Sequence, residues 1–149
     1  MVSGAWDAGV RAWDLESFST VCLLEGHENN VSTVALSPDG RQVASGGVDA
    51  VVRVFDLKSR RAVRSLAGHE AEITSLVFTP DGRYLVSASR DKTVRLWDLR
   101  TGSCARILSL ATAVLQVAVS GDGNRLVWAG ADCAVRVWRL DWEPEPRPL

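Results

Sequence analysis

His69, Ser87 and Asp91 are the residue types of a hydrolase triad, in which an acid orients an imidazole that takes a proton from a hydroxyl. Chain order is no obstacle, because such triads are defined by geometry. The stretch SRDKTVRLWDL, residues 89–99, adds Ser89, Trp97 and Asp98. Two features argue against catalysis. The set recurs upstream as His27, Ser45 and Asp49, and an enzyme rarely needs its triad in tandem. No Gly-x-Ser-x-Gly elbow places a serine on a strained turn. A polar set that repeats points to a scaffold, so no catalytic residue is expected.

The elements that would position these residues repeat as well. Alternating segments follow Asp7, Asp49, Asp91 and Asp132, as DAGVRAWD, DAVVRVFD, DKTVRLWD and DCAVRVWR, with anchors 42, 42 and 41 residues apart. Pro38-Asp39-Gly40, Pro80-Asp81-Gly82 and Gly121-Asp122-Gly123 keep the same phase as turn signals. Gly26-His27 and Gly68-His69 do too, but the third counterpart is Ser109-Leu110. VSTVALS, ITSLVFT and VLQVAVS are β-branched and apolar, and each is followed by a second and a third short strand. Weaker fourth strands are expected at 20–25, 61–66 and 104–109. The class is all-β. Each repeat makes one small antiparallel sheet that cannot bury both faces alone, and stacking the sheets radially solves this.

The Gly-His pairs, the Pro-Asp-Gly turns, the SASRD and SGGVD stretches, Trp13-Asp14 and Trp97-Asp98 resemble the WD-repeat β-propeller family. The resemblance runs to about Leu140 and implies a propeller arc of four-stranded antiparallel blades. The blade segments are about 1–24, 31–66, 73–109 and 113–140, followed by a Pro-rich tail at 141–149 in which Trp142 is expected to dock on the last blade. The first and last blades are expected to be incomplete, the first without its inner strand and the last without its outer one.

The resemblance also implies a structural hydrogen-bonded chain through His69, Ser87, Asp91 and Trp97, and a shorter one through His27, Ser45 and Asp49, where Phe55 cannot donate. In the last blade Leu110 and Trp128 replace His and Ser, so Asp132 is expected to turn to water or backbone. Arg11, Arg53, Arg95 and Arg136, one per blade, are expected to cover apolar surface between blades with their stems.

Family members act mostly as platforms for proteins or peptides. The top-face positions implied here are Trp6, Val48, Arg90 and Ala131 before each turn Asp, and Asn30, Glu72 and Ala113 at the start of each first strand. Trp and Arg are favoured hot-spot types, which puts Trp6 and Arg90 first. A non-catalytic interaction scaffold is therefore expected. The alternatives are the regulatory or sensor portion of a larger kinase- or NTPase-type enzyme, or a partial propeller that self-assembles. Two readings of the arc compete: part of a larger propeller, or a ring completed by self-association, for which fourteen strands doubled would match seven blades by count.

The totals narrow the partners. With 17 Lys+Arg against 18 Asp+Glu, the formal charge of −1 argues against sequence-independent nucleic-acid binding. No apolar run approaches the roughly 20 residues of a membrane span. Cys22, Cys104 and Cys133 are odd in number and lack Cys-x-x-Cys spacing, so neither a disulfide framework nor a metal site is expected, and a reducing, cytoplasmic setting fits. No cofactor or small-molecule substrate is expected.

Overall fold

The computed structural model describes residues 1–140; the expected docking of Trp142 and the Pro-rich tail lie outside the described residues. Fourteen strands form four separate antiparallel sheets in chain order. The first sheet holds β1 (Val2–Gly4), β2 (Val10–Trp13) and β3 (Thr20–Leu24). The second holds β4 (Val31–Leu36), β5 (Gln42–Gly47), β6 (Val52–Asp56) and β7 (Arg61–Leu66). The third holds β8 (Ile73–Phe78), β9 (Tyr84–Ser89), β10 (Thr93–Asp98) and β11 (Ser103–Ser109). The fourth holds β12 (Val114–Val119), β13 (Arg125–Gly130) and β14 (Val135–Arg139). Among the described residues, the first sheet has no counterpart of the inner strand of the complete sheets, and the last has none of the outer one. Because the fourteen strands fall into four sheets, two chains would supply eight sheets rather than seven.

The turns explain why these segments pair. In the first hairpin of the second sheet, Gly40 N–H donates to the Ser37 carbonyl, while Asp39 accepts from the Arg41 N–H (3.0 Å) and the Ser37 hydroxyl (2.6 Å). Asp81 and Asp122 repeat this with Thr79 and Ser120. Gly40, Gly82 and Gly123 sit at φ 69°, 67° and 73°, where a side chain would be strained. A register shift recurs in each first strand (Val31/Thr33, Ile73/Ser75, Val114/Gln116), so the bulge belongs to the repeat.

The core lies between sheets. Val10, Ala12, Cys22 and Leu24 of the first sheet pack on Val31, Val43 and Phe55 of the second. Ala44, Val52, Val54 and Leu66 pack on Ile73, Leu76, Phe78, Leu85 and Trp97 of the third. Val86, Ala88, Val94 and Leu96 pack on Val114, Val117, Leu126 and Trp128 of the fourth. Small residues in each second strand make room for the next sheet: a Cβ at Gly46 would press on Ile73 (2.8 Å). Polar ties cross the same joins, from Thr74 Oγ1 to the Val114 carbonyl (2.7 Å) and from Arg64 Nε to the Leu99 carbonyl (2.8 Å).

The turn between third and fourth strands needs a left-handed residue. Gly102 meets that need at φ 75°, but Arg60 and Phe18 hold the same place at φ 58° and 52°. A non-glycine residue there costs roughly 1–2 kcal/mol, offset in part by the greater unfolded-state entropy of glycine. Arg60→Gly is therefore expected to stabilise the protein by about 0.5–1 kcal/mol. Gly102→Ala is expected to destabilise it by a similar amount, with urea denaturation as the check.

Candidate functional site

The two complete sheets each hold a buried polar chain beneath the loops at one end of the strands. In the third sheet, Trp97 Nε1–H donates to Ser87 Oγ (2.8 Å), and Ser87 Oγ lies 2.6 Å from His69 Nε2. His69 Nδ1 lies 2.7 Å from Asp91. One proton arrangement satisfies every link: Nδ1–H donates to the carboxylate, and Nε2 accepts from the serine hydroxyl. Asp91 also accepts from the Thr93 hydroxyl (2.7 Å), the Thr93 N–H (2.8 Å) and the Glu70 N–H (3.1 Å). Burial pushes its carboxyl upward, but the hydrogen bonds from Thr93, His69 and Glu70 outweigh this and hold it at about 2. Burial pushes the His69 imidazole below its ordinary value, against the pull of Asp91, so it is neutral at pH 7.

In the second sheet, His27 Nε2 lies 2.6 Å from Ser45 Oγ, and Nδ1 lies 2.9 Å from Asp49. Phe55 stands where Trp97 stands and donates nothing. Here Arg53 Nη1 donates to Asp49 (2.6 Å). Arg11 and Arg136 likewise reach Asp7 and Asp132, four residues earlier, at 2.6 Å. These links engage the guanidinium heads, which the expectation about the stems did not address. The Arg136 link corrects the expectation for Asp132, whose carboxyl is held low by Arg136 ahead of the Ala134 N–H. Arg95 is the exception. The Thr93 hydroxyl already occupies Asp91, whereas Gly9, Val51 and Ala134 at the equivalent places have no hydroxyl. Arg95 instead lies over the Trp97 ring, 6.0 Å from its centroid.

The Gly before each His has a steric reason. Gly26 and Gly68 sit at φ 146° and 154°, and a Cβ on Gly68 would strike the Arg95 guanidinium. Where Leu110 replaces the histidine, Ser109 replaces the glycine.

The links Asp91–His69–Ser87 follow triad connectivity, but the setting does not suit hydrolysis. Ser87 and Ser45 are fully buried, and the Trp97 indole occupies the oxygen of Ser87 that would attack. Among the described residues, no group of three or more His, Cys, Asp and Glu is placed to hold a metal ion.

The top-face candidates come together in pairs. The N–H groups of Val48, Arg90 and Ala131 donate to the carbonyls of Asn30, Glu72 and Ala113, at 3.0, 3.0 and 2.9 Å. Arg90 Nε also lies 2.8 Å from Glu72 Oε2, and Glu72 Oε1 accepts from Ser32 of the preceding sheet (2.6 Å). Arg90 and Glu72 thus neutralise one another, which spacing alone could not reveal. Trp6 is 85% exposed and Val48 is exposed, whereas Asn30 is half-buried.

A family model described as "WD domain, G-beta repeat" matches residues 18–56, 60–98 and 102–139. The chain belongs to this WD-repeat family. Each matched unit starts at the outer strand of one sheet and ends in the third strand of the next, so the sequence repeat is offset from the sheets by one strand. The chain is 47% identical over 45 residues to the small ribosomal subunit protein RACK1y of Oryza sativa subsp. japonica. It is 38% identical over 45 residues to coronin-7 of Homo sapiens, and 42% identical over 45 residues to guanine nucleotide-binding protein subunit beta-5b of Danio rerio. Each match covers 30% of this chain and 13%, 5% and 11%, respectively, of those relatives.

Removing His69 leaves the Ser87 hydroxyl proton without its acceptor and takes a donor from Asp91, which has no arginine, whereas removing His27 leaves Asp49 held by Arg53. His69→Ala is therefore expected to lose about 2–4 kcal/mol and His27→Ala about 1 kcal/mol less. Thermal unfolding of both variants decides the order, and the reverse order contradicts this account.

Proposed function

We propose that this WD-repeat chain is a non-catalytic protein-interaction scaffold that binds a protein or peptide on the loop end of its sheets. The observation that carries this reading is Trp6, a large aromatic side chain left 85% exposed beside a set of rigidly tied loops. Aromatic anchors on a preorganised surface carry much of the binding energy at protein interfaces. Exposed Val48 extends the apolar surface, and the Arg90–Glu72 pair sets a polar rim. Two of the matched relatives are, by name, a small ribosomal subunit protein and a subunit of a guanine nucleotide-binding protein, both parts of larger assemblies. The triad-like side chains belong to the scaffold in this reading, because their serines are enclosed. The three unpaired cysteines suit a reducing setting such as the cytoplasm.

The experiment compares cross-linked partners of the wild type, a Trp6→Ala/Val48→Asp variant, and an Arg41→Ala/Lys58→Ala control at the opposite end of the strands. A partner kept by the control and weakened tenfold or more by the Trp6 variant is expected. Equal loss in both variants contradicts the proposed face. Labelling of Ser87 by a fluorophosphonate probe would contradict the non-catalytic reading independently.

A further inference from the structure

Arginines at the two ends of the strands are used differently. At the loop end, Arg11, Arg53, Arg90 and Arg136 each lie within 2.8 Å of a carboxylate. At the foot, the opposite end, the N–H groups of Arg83 and Arg100 donate to Asp81 (3.0 Å) and Asp98 (2.8 Å). Their guanidinium groups, however, reach no carboxylate among the described residues. That of Arg83 lies 5.0 Å from the centre of the Tyr84 ring.

Both arginines line a cleft of about 590 Å³ at the foot of the join between the second and third sheets. Ligand pockets span roughly 300–1,000 Å³. Charge is sorted along this cleft. Asp39 and Asp81 stand at its inner end, on the hairpins between first and second strands. Arg100 stands at its outer end, on the turn between third and fourth strands. A bond from the Leu99 N–H to the Arg83 carbonyl (3.0 Å) holds Arg83 beside that turn. The Oδ1 atoms of Asp39 and Asp81 serve their own turns, so each Oδ2 can accept from a ligand.

Strand register shows why the cleft is open. Gln42 lies on the face turned toward the third sheet, as Ala44 and Val54 do. Its backbone groups bond to Ser37, and its carboxamide has no partner among the described residues. At the next join Tyr84 takes this place and packs against the apolar core. Both flanking sheets have four strands, so the cleft does not depend on what adjoins the first or the last sheet.

These features select the occupant. A bilayer cannot enter a recess between two hairpins. A nucleic acid would bring phosphates against Asp39 and Asp81. A peptide can vary its charge along its length, and its main chain can bond to the Gln42 carboxamide. We propose that this cleft docks an extended peptide of mixed charge, with acidic residues on Arg83 and Arg100 and a basic residue on Asp39 and Asp81. The site is separate from the loop-end face and does not rest on that reading.

Fluorescence anisotropy with the full chain tests this. The probe is a fluorescein-labelled peptide of three glutamates, a Gly-Ser-Gly spacer and one lysine. Saturable binding is expected, weakened at least tenfold by Arg83→Ala/Arg100→Ala. Gln42→Tyr, which fills the cleft without changing charge, is expected to weaken it as well. Lys92→Ala/Arg106→Ala removes the same charge elsewhere, and Trp6→Ala/Val48→Asp alters the loop end; both are expected to leave binding within about twofold of the wild type. Arg83, Arg100, Lys92 and Arg106 are exposed, so folding is retained, which circular dichroism checks. A wild type that does not bind the peptide overturns the proposal. So does equal loss in the two charge-removing variants, or tighter binding to duplex DNA or to phosphatidylserine vesicles than to the peptide.

Discussion

Each sheet in this protein is apolar on both faces, so neither face is stable in water and each sheet depends on its neighbours. Most structural detail follows from that constraint. The second strands are lined with small residues because the next sheet presses on them, as Ile73 does at Gly46. Five consecutive residues of β5 and of β9 are buried, since both faces are covered. In β14 no residue is fully buried. Blade stacking thus sets burial, and burial sets which polar groups must be satisfied internally.

The buried His, Ser, Asp and Trp groups show how local chemistry fits inside that frame. Their atoms are withdrawn from water, so each link must be made within the protein, and an unmade one is expensive. The four copies solve the problem differently because single residues differ. A threonine hydroxyl at position 93 holds Asp91 and turns Arg95 aside, whereas Val51 leaves Asp49 to Arg53. Connectivity alone would permit triad chemistry at Ser87. Enclosure and the indole on its oxygen make it a structural tie instead.

Much of this was legible in the sequence. The 42-residue phase, the Asp-Gly turns and the alternation of apolar residues located the sheets and the incomplete first and last ones, because those patterns report directly on strand period and turn geometry. The Arg–Asp links at four-residue spacing were missed. Such spacing marks neighbours on a helix, and here it is a tight turn that folds Arg11, Arg53 and Arg136 back onto their acids. The Arg90–Glu72 pair was also hidden, because it closes the open end of the β8–β9 hairpin and depends on a strand register that spacing does not give. Ala50, Lys92 and Arg60 gave no sign of left-handed backbone, since none is a residue type that favours it.

As a member of the WD-repeat family, the chain offers a tied set of loops at one end of its strands. The central claim is that stability comes from cover on both faces of a sheet. Native-state hydrogen exchange, followed residue by residue, tests it most directly. The account predicts the slowest exchange in β5, β6, β9 and β10 and clearly faster exchange in β2 and β14. Uniform protection across all four sheets, or greatest protection in β14, would contradict it.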